Sequence, residues 1–241
     1  MHHELLDTQT VLLDADDTLW ENNRYYEASF DEFVAFLDHE HLSAAEIRTV
    51  LDRFEIANGY GARAFARSLR ETFAEITGEA DDETLGTVEG LGLRILEIDI
   101  EIMAGVETTL EALRPHHDLF LFTKGDLEEQ QLKIQRSGIG HLFDAHIVAA
   151  DKKPHTYADI VDSFGLEPEQ TWMIGNSTRS DIQPALEAGL HAVFIPHPMT
   201  WHLEHVEIDH HPGWRGRFEE IERFDALLTL FRHTAPANER T

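Results

Sequence analysis

Short apolar runs alternate with amphipathic stretches at the start of the chain and again after about residue 105. Strands are predicted at residues 10–14, 118–123, 145–150, 171–175 and 191–195. Helices are predicted at residues 106–113, 127–136, 157–164 and 182–188. Strands that alternate with helices are joined by right-handed crossovers and form a parallel sheet. The pattern therefore predicts an α/β fold with a Rossmann-like parallel sheet core.

The region between the first strand and residue 106 has helical spacing and no convincing strand. Apolar residues recur there at intervals of three and four in four stripes: Tyr25, Phe30, Phe33, Val34 and Leu37; Ile47, Val50, Leu51 and Phe54; Phe65, Leu69, Phe73 and Ile76; Leu91, Ile95 and Ile98. Such stripes are typical of helices that bury their apolar faces on one another. We therefore predict a core of residues 1–21 and 99–241 with an all-helical insertion at 22–98.

The segment that follows the last predicted strand is rich in His, Pro and Trp. Residues 197–217 are predicted to form a long loop before a final amphipathic helix near Phe218–Phe231. Clustered histidines can bind a transition metal. The chain contains 16 histidines, however, so chance clustering is the simpler interpretation and the role of the segment stays open.

The charge and composition narrow the possible functions. A formal net charge of −27 repels phosphate backbones and anionic lipids, so no nucleic-acid or membrane partner is expected. The absence of cysteine excludes disulfides and thiolate chemistry. With no signal peptide at the start of the chain and no apolar run long enough to span a bilayer, a soluble cytoplasmic protein is expected. Its oligomeric state is left open.

Two carboxylates follow the first predicted strand directly. Asp14 and Asp16 are two residues apart, so they point the same way if the strand continues. Open α/β sheets bind their ligands at the carboxyl ends of the strands. Paired acids at that edge suit a nucleophile, a proton donor and a Mg²⁺ ion. A lone Asp-x-Asp is more often an acidic turn or a helix N-cap, so the assignment depends on the rest of the chain.

Three further polar clusters lie at the ends of apolar runs or at the start of a helical stretch. With the first one they read, in chain order, DADDT at 14–18, LFLFTKG at 119–125, DKKP at 151–154 and WMIGNSTRSDI at 172–182. Together they resemble the motifs of the haloacid dehalogenase superfamily. The resemblance implies that the helical insertion is a mobile cap over the active site. The interval between Thr123 and Lys152 holds only a helix and a strand, which favours the subgroup with a single helical cap.

The resemblance also implies a mechanism and a metal. Asp14 would attack phosphorus, and Asp16 would first donate and then accept a proton. Mg²⁺ would be held by the Asp14 carboxylate, the Asp16 backbone carbonyl and the Asp181 carboxylate. Many relatives carry Asp where this chain has Asn176, so Asn176 is expected only to hold a metal-bound water.

The remaining site residues would bind the phosphate. By the resemblance, the Thr123 hydroxyl and the backbone N–H groups of Lys124 and Gly125 would donate to phosphoryl oxygens. The lysine that neutralises Asp14 and the phosphate is ambiguous. Spacing to the next helix favours Lys152, whereas direct precedence to a proline favours Lys153. We favour Lys152, and we expect Lys124 to be a solvated surface charge apart from its backbone.

These observations favour a magnesium-dependent phosphatase acting on a small phosphorylated metabolite. A dehalogenase of the same fold attacks carbon, needs no magnesium and usually lacks an acid at the position of Asp16. A phosphomutase would share all these motifs, and a binding or regulatory protein could keep the fold without turnover. Nothing in residues 22–98 identifies the substrate.

Overall fold

A computed structural model of the protein describes residues 8–78, 81–208, 214 and 216–231. The chain divides into two compact units. Among the described residues, the first unit contains those up to Glu21, Ile100–Lys124 and those from Lys133 onward. The second contains Asn22–Asp99 together with Gly125–Leu132. The predicted helical insertion lies within the second unit, which also includes a short segment that the sequence analysis assigned to the core.

The first unit is built on a six-stranded sheet in the order β3-β2-β1-β4-β5-β6, and every neighbouring pair is parallel. The strands are β1 Thr10–Leu13, β2 Asp118–Lys124, β3 Ala145–Ala149, β4 Thr171–Gly175, β5 His191–Phe194 and β6 Phe218–Glu220. The central strand β1 pairs with both β2 and β4. The predicted α/β class with a Rossmann-like parallel sheet is therefore confirmed.

Successive residues of the central strands enter two different cores, because side chains alternate across a sheet. Val11 and Leu13 of β1 belong to one apolar cluster, which also includes Leu110 of a neighbouring helix. Leu12 lies between them in sequence and belongs to the opposite cluster with Tyr157. All of these side chains are buried. Burial on both faces explains why the strands are continuous apolar runs.

Helices follow the strands as the periodicity predicted. Those in or entering the first unit are α5 Val106–Leu113, α6 Leu127–Ser137, α7 Pro154–Phe164, α8 Gln183–Glu187 and the single-turn α9 Leu227–Leu230. Helix α7 begins with a proline, whose fixed φ and missing N–H suit the first turn. A π-helical turn at Thr178–Ile182 precedes α8.

The end of the described chain differs from the sequence prediction. The prediction of a helix near Phe218–Phe231 is wrong over its first part, because Phe218–Glu220 forms β6 and pairs in parallel with β5. A 3₁₀ turn at Phe224–Ala226 and α9 follow. Pairing with an exposed sheet edge decides the conformation of such a short segment, and local periodicity does not.

Besides the first part of α6, the described residues of the second unit form helices α1 Asn23–Leu37, α2 Ala44–Asn58, α3 Ala62–Thr77 and α4 Asp82–Leu93. Their apolar stripes pack into one cluster that includes Phe33, Leu51 and Leu69. Ser43 and Glu46 form a capping box that begins α2. Over the described ranges, no helix has both the length and the apolar character needed to cross a membrane.

The N-terminus of α3 is capped by a residue that is distant in sequence. The Glu129 carboxylate, which is 3% exposed, accepts the backbone N–H groups of Ala62 at 2.7 Å and Arg63 at 3.1 Å. These amides have no partner within the helix, because its first N–H groups precede the hydrogen-bond ladder. A carboxylate also suits the positive end of the helix dipole. Residues 125–132 thus stabilise the second unit directly.

Candidate active site

The polar residues of the candidate site lie at the carboxyl ends of three adjacent strands. Asp14 directly follows β1, Thr123 is near the end of β2, and Asp181 lies in the π-helical turn after β4. The Asp14 N–H donates to the Ile174 carbonyl of β4 at 2.9 Å, which continues the pairing to the edge of the sheet. The fold therefore brings together residues that are up to 167 positions apart, as the distance from 14 to 181 shows.

Lys152 joins the two carboxylates. Its ammonium nitrogen lies 2.6 Å from Oδ1 of Asp14 and 2.8 Å from Oδ1 of Asp181. The side chain of Lys152 is 0% exposed and that of Asp181 is 1% exposed. A buried ammonium is stable only when it is paired and hydrogen-bonded, and here it has two carboxylate partners. The cluster has two potential negative charges and one positive charge.

This excess of carboxylates perturbs the ionisation of the cluster. Burial, and then the neighbouring Asp181 carboxylate, raise the pKa of Asp14 to about 7, although Lys152 opposes them. Burial alone would lower the pKa of Lys152, but Asp14 and Asp181 outweigh it and raise that pKa. The two carboxylates together need more positive charge than one lysine supplies. Carboxylate oxygens held close together are the donor set that Mg²⁺ prefers.

Thr18 contacts the second carboxylate oxygen of Asp14 and links it to Asn176. The Thr18 hydroxyl lies 2.9 Å from Oδ2 of Asp14 and 3.2 Å from Oδ1 of Asn176. Asn176 also donates through its side-chain nitrogen to the Thr200 hydroxyl at 2.8 Å. Asn176 is therefore held beside the acidic cluster, with its side-chain oxygen close to the Thr18 hydroxyl that contacts Asp14.

Gly175 gives Asp181 the space it occupies. Oδ2 of Asp181 accepts the Ser177 N–H at 2.9 Å, which holds the carboxylate over the end of β4. A Cβ atom at position 175 would overlap Oδ2 of Asp181. Only glycine allows this approach of a carboxylate to the strand. In the sequence, Gly175 is recognisable only as the end of a strand, so this requirement was not predicted.

Asp16 contacts a different lysine, Lys133, and the indole of Trp20. Both of its carboxylate oxygens lie 2.9 Å from the Lys133 ammonium nitrogen, and the Trp20 indole donates to Oδ1 at 2.7 Å. Sequence reasoning did not assign Lys133 to the site. The composition carried a signal for this residue: the chain has only four lysines against 46 acidic residues, so each lysine is a candidate partner for a carboxylate of the site.

The predicted phosphate-binding residues end β2. The Thr123 side chain is buried, and its hydroxyl has no hydrogen-bond partner within the residues that the structure describes. Gly125 has a φ of +135°, which glycine adopts without strain. The prediction that the Lys124 side chain is a solvated surface charge is wrong. This side chain is 15% exposed and lies 2.6 Å from Oε1 of Glu204, because the segment after β5 brings a buried carboxylate to it.

Lys153 lies outside this cluster. Its side chain is 64% exposed, and its ammonium lies 2.8 Å from Oδ2 of Asp151. It is the N-cap residue of α7, so its side chain leaves the helix toward solvent while that of Lys152 enters the core.

The histidine-rich segment contributes one side chain near the first motif. His197 lies 3.8 Å from Asp17 and 3.6 Å from Glu21, in a group whose oxygen and nitrogen atoms are close enough to hold a metal. The Met199 N–H donates to Nδ1 of His197 at 3.3 Å, which occupies one of the two ring nitrogens. His210 and His211 lie outside the described residues.

Known proteins resemble this chain over most of its length. The family model described as haloacid dehalogenase-like hydrolase matches residues 8–189. The N-acylneuraminate-9-phosphatase of Rattus norvegicus is 24% identical over 201 residues, which cover 76% of this chain and 80% of the relative.

Solved structures show the same fold. A haloacid dehalogenase-like family hydrolase from Xanthomonas campestris has a TM-score of 0.80 and 30% identity, covering 93% of this chain and 96% of the other. A HAD-hydrolase from Bacillus subtilis bound to magnesium has a TM-score of 0.67 and 18% identity, covering 94% and 99%.

Proposed function

Because the chain belongs to the haloacid dehalogenase-like hydrolases, we propose that it is a magnesium-dependent phosphatase that acts through a phosphorylated Asp14. The observation that carries the proposal is the buried cluster of Asp14, Lys152 and Asp181 at the carboxyl edge of the sheet. A phosphatase relative supports a small phosphorylated metabolite as the substrate. The helical insertion at 22–98 is proposed to be the cap of this enzyme.

Asp14 is the proposed nucleophile. Lys152 and the Thr18 hydroxyl each contact one of its oxygens, so the carboxylate has a fixed orientation. In-line attack forms an acyl phosphate on Asp14 and releases the alcohol of the substrate. A water molecule then attacks the phosphorus of this intermediate, which returns Asp14 and releases inorganic phosphate. Lys152 stabilises the added negative charge throughout.

Asp16 is the proposed acid and base. It protonates the leaving alcohol in the first step and takes a proton from water in the second. The same carboxylate contacts Lys133 and Trp20 in the structure. Delivery of a proton therefore requires Asp16 to leave its ion pair with Lys133 during each turnover.

The proposed phosphate donors are the Thr123 hydroxyl and the backbone N–H groups of Lys124 and Gly125. Mg²⁺ would be held by the Asp14 and Asp181 carboxylates and the Asp16 backbone carbonyl, with Asn176 holding a metal-bound water. When bound, Mg²⁺ supplies positive charge to the carboxylates and to the phosphoryl oxygens. The donor set fits this ion, because carboxylate and carbonyl oxygens are hard ligands and few are needed.

Phosphate release from a panel of metabolites tests the proposal. The panel contains N-acylneuraminate 9-phosphate, phosphoglycolate, sugar phosphates, nucleotides and a chromogenic monoester, each assayed with Mg²⁺ and with excess chelator. We expect release with Mg²⁺ only, and none from Asp14→Asn, while the exposed control Asp118→Asn retains activity. Full activity in the chelator, or halide release from a 2-haloacid without phosphate release, would contradict it.

A further inference from the structure

The segment after β5 forms a network of short hydrogen bonds centred on Glu204. A 3₁₀ turn at His202–Glu204 places this side chain at the end of β4, where it is 8% exposed. Oε2 of Glu204 accepts the hydroxyls of Ser177 and Ser180, each at 2.6 Å. Oε1 accepts the Lys124 ammonium at 2.6 Å, and that ammonium also lies 2.7 Å from the Ser180 hydroxyl.

Glu204 is charged in this environment. Burial alone would raise the pKa of Glu204, but the Lys124 ammonium and the hydroxyl donors outweigh it and lower the pKa to about 2. A buried carboxylate of this kind needs all of its partners, since breaking a buried pair leaves an uncompensated charge. The hydrogen bonds from Glu204 therefore hold the Ser177 and Ser180 side chains in place.

These two serines support Asp181. The Ser177 N–H donates to the Asp181 carboxylate at 2.9 Å, and the Asp181 N–H donates to the Ser177 carbonyl at 2.9 Å. The Ser180 N–H closes the loop on the Ser177 hydroxyl at 2.9 Å. The turn that carries Asp181 is π-helical, and such turns are frequent at functional sites.

Neighbouring residues of the same segment bind the same turn. The Val206 N–H donates to the Thr178 hydroxyl at 2.8 Å, and the Arg179 guanidinium donates to the Leu203 carbonyl at 3.0 Å. Several successive residues of the Asp181 turn are thus fixed by residues 203–206. The role of this segment was left open by the sequence analysis.

We propose that Glu204 is a positioning residue that holds Asp181 in the orientation needed to bind Mg²⁺. The inference rests on the proposed function, because it assumes that Asp181 is a metal ligand. Glu204 is not one of the proposed phosphate donors or metal ligands. It acts through Ser177 and Ser180, as residues behind metal ligands generally do, and loss of such a partner typically weakens metal binding by about 10- to 100-fold.

Direct metal binding tests the proposal without relying on turnover. Titration calorimetry with Mg²⁺, and with Mn²⁺ as a second probe, is performed on the wild type, Glu204→Gln and the matched control Glu207→Gln, which alters an exposed residue three positions away. We expect about 10-fold or greater loss of affinity in Glu204→Gln and no change in Glu207→Gln. The same shift is expected in the Mg²⁺ concentration that gives half-maximal phosphatase activity, with KM for the substrate at saturating Mg²⁺ little changed.

The outcomes separate this proposal from the proposed function. A folded Glu204→Gln that binds both metals as the wild type does would overturn the positioning role alone. A wild type that binds neither metal would overturn both proposals. If Glu204→Gln does not fold, Ser177→Ala decides, since it removes the hydroxyl that links Glu204 to the Asp181 turn and keeps both the Ser177 N–H and the ion pair of Lys124 with Glu204. Unchanged metal affinity in a folded Ser177→Ala would overturn the role, and weakened affinity would support it.

Discussion

Replacement of Lys152 by methionine removes the only ammonium in contact with both Asp14 and Asp181 among the described residues. Its nitrogen lies 2.6 Å from one carboxylate and 2.8 Å from the other. At an effective dielectric constant of about 20, each contact attracts by about 6 kcal/mol. The cost of removing the ammonium from water offsets several kcal/mol of this sum. Loss of one member of a buried pair typically costs about 3–5 kcal/mol, and we expect a destabilisation of that size at pH 8 without divalent metal.

Lys153→Met is the matched control, because it makes the same change one residue away at an exposed ion pair. Surface pairs contribute less than about 1 kcal/mol, so its stability should stay close to that of the wild type. Urea unfolding followed by tryptophan fluorescence measures both variants, since Trp20 and Trp172 are fully buried in the first unit. Phosphatase activity is measured in parallel, and we expect near-complete loss in Lys152→Met and little change in Lys153→Met.

The cost of Lys152→Met should also depend on pH and metal. Protonation of Asp14 removes one of the two negative charges, so the difference from the wild type should shrink at pH 5.5. Saturating Mg²⁺ should restore part of the stability by replacing the lost positive charge, without restoring full activity. Equal stability of the two variants at pH 8, or loss of activity in Lys153→Met instead, would refute the reasoning.

Three further predictions concern single residues in the two units. Burial raises the pKa of Glu55 from 4.5 to about 7, so the folded state binds its proton more tightly and stability falls as pH rises through this interval. Glu55→Gln should therefore raise the free energy of unfolding at pH 8 by up to about 3 kcal/mol and have little effect at pH 4.5. Urea titration followed by circular dichroism measures both values, and equal effects at the two pH values would contradict this prediction. Gly175→Ala should displace the Asp181 carboxylate and raise the Mg²⁺ concentration needed for half-maximal activity at least about 10-fold. The control Gly86→Ala, where a Cβ meets nothing within 4 Å, should leave that concentration unchanged. An unchanged Mg²⁺ requirement in Gly175→Ala would show that Asp181 does not need this space. Glu129→Ala should destabilise the second unit by about 1–3 kcal/mol, because it leaves N–H groups at the start of α3 unpaired. Glu128→Ala, which changes an exposed neighbour, is its control in the same urea titration. Equal unfolding midpoints for the two variants would disprove the cap.

The central strands were predictable because they are buried on both faces. Continuous apolar runs such as Val11–Leu13 appear directly in the sequence, and the runs of β1, β2 and β4 lead directly into the polar residues of the candidate site. The strand β6 was not predictable in this way. Three residues carry too little periodicity, and their conformation depends on hydrogen bonds to β5.

The contacts of the site residues were harder to predict from the sequence than the site residues themselves. Lys133 and Asp16 are 117 positions apart, and Glu204 and Lys124 are 80 apart, so no local pattern links them. The ambiguity between Lys152 and Lys153 has a similar cause. The side chain that enters the core depends on the residue at which α7 begins, and the two adjacent lysines that precede that residue look alike in sequence.

Trapping of the covalent intermediate tests the central claim most directly. In Asp16→Asn the nucleophile remains, but the base that activates water is lost, a contribution of about 10²–10⁴ in rate. With a substrate whose leaving group needs little protonation, this variant should accumulate a phosphoryl group. Intact-mass spectrometry after acid quench is expected to show one added phosphoryl group per chain, located on Asp14 by peptide mapping and absent from the double variant Asp14→Asn, Asp16→Asn. An active wild-type enzyme whose Asp16→Asn variant turns over at the normal rate, or carries its phosphoryl group on another residue, would contradict the account.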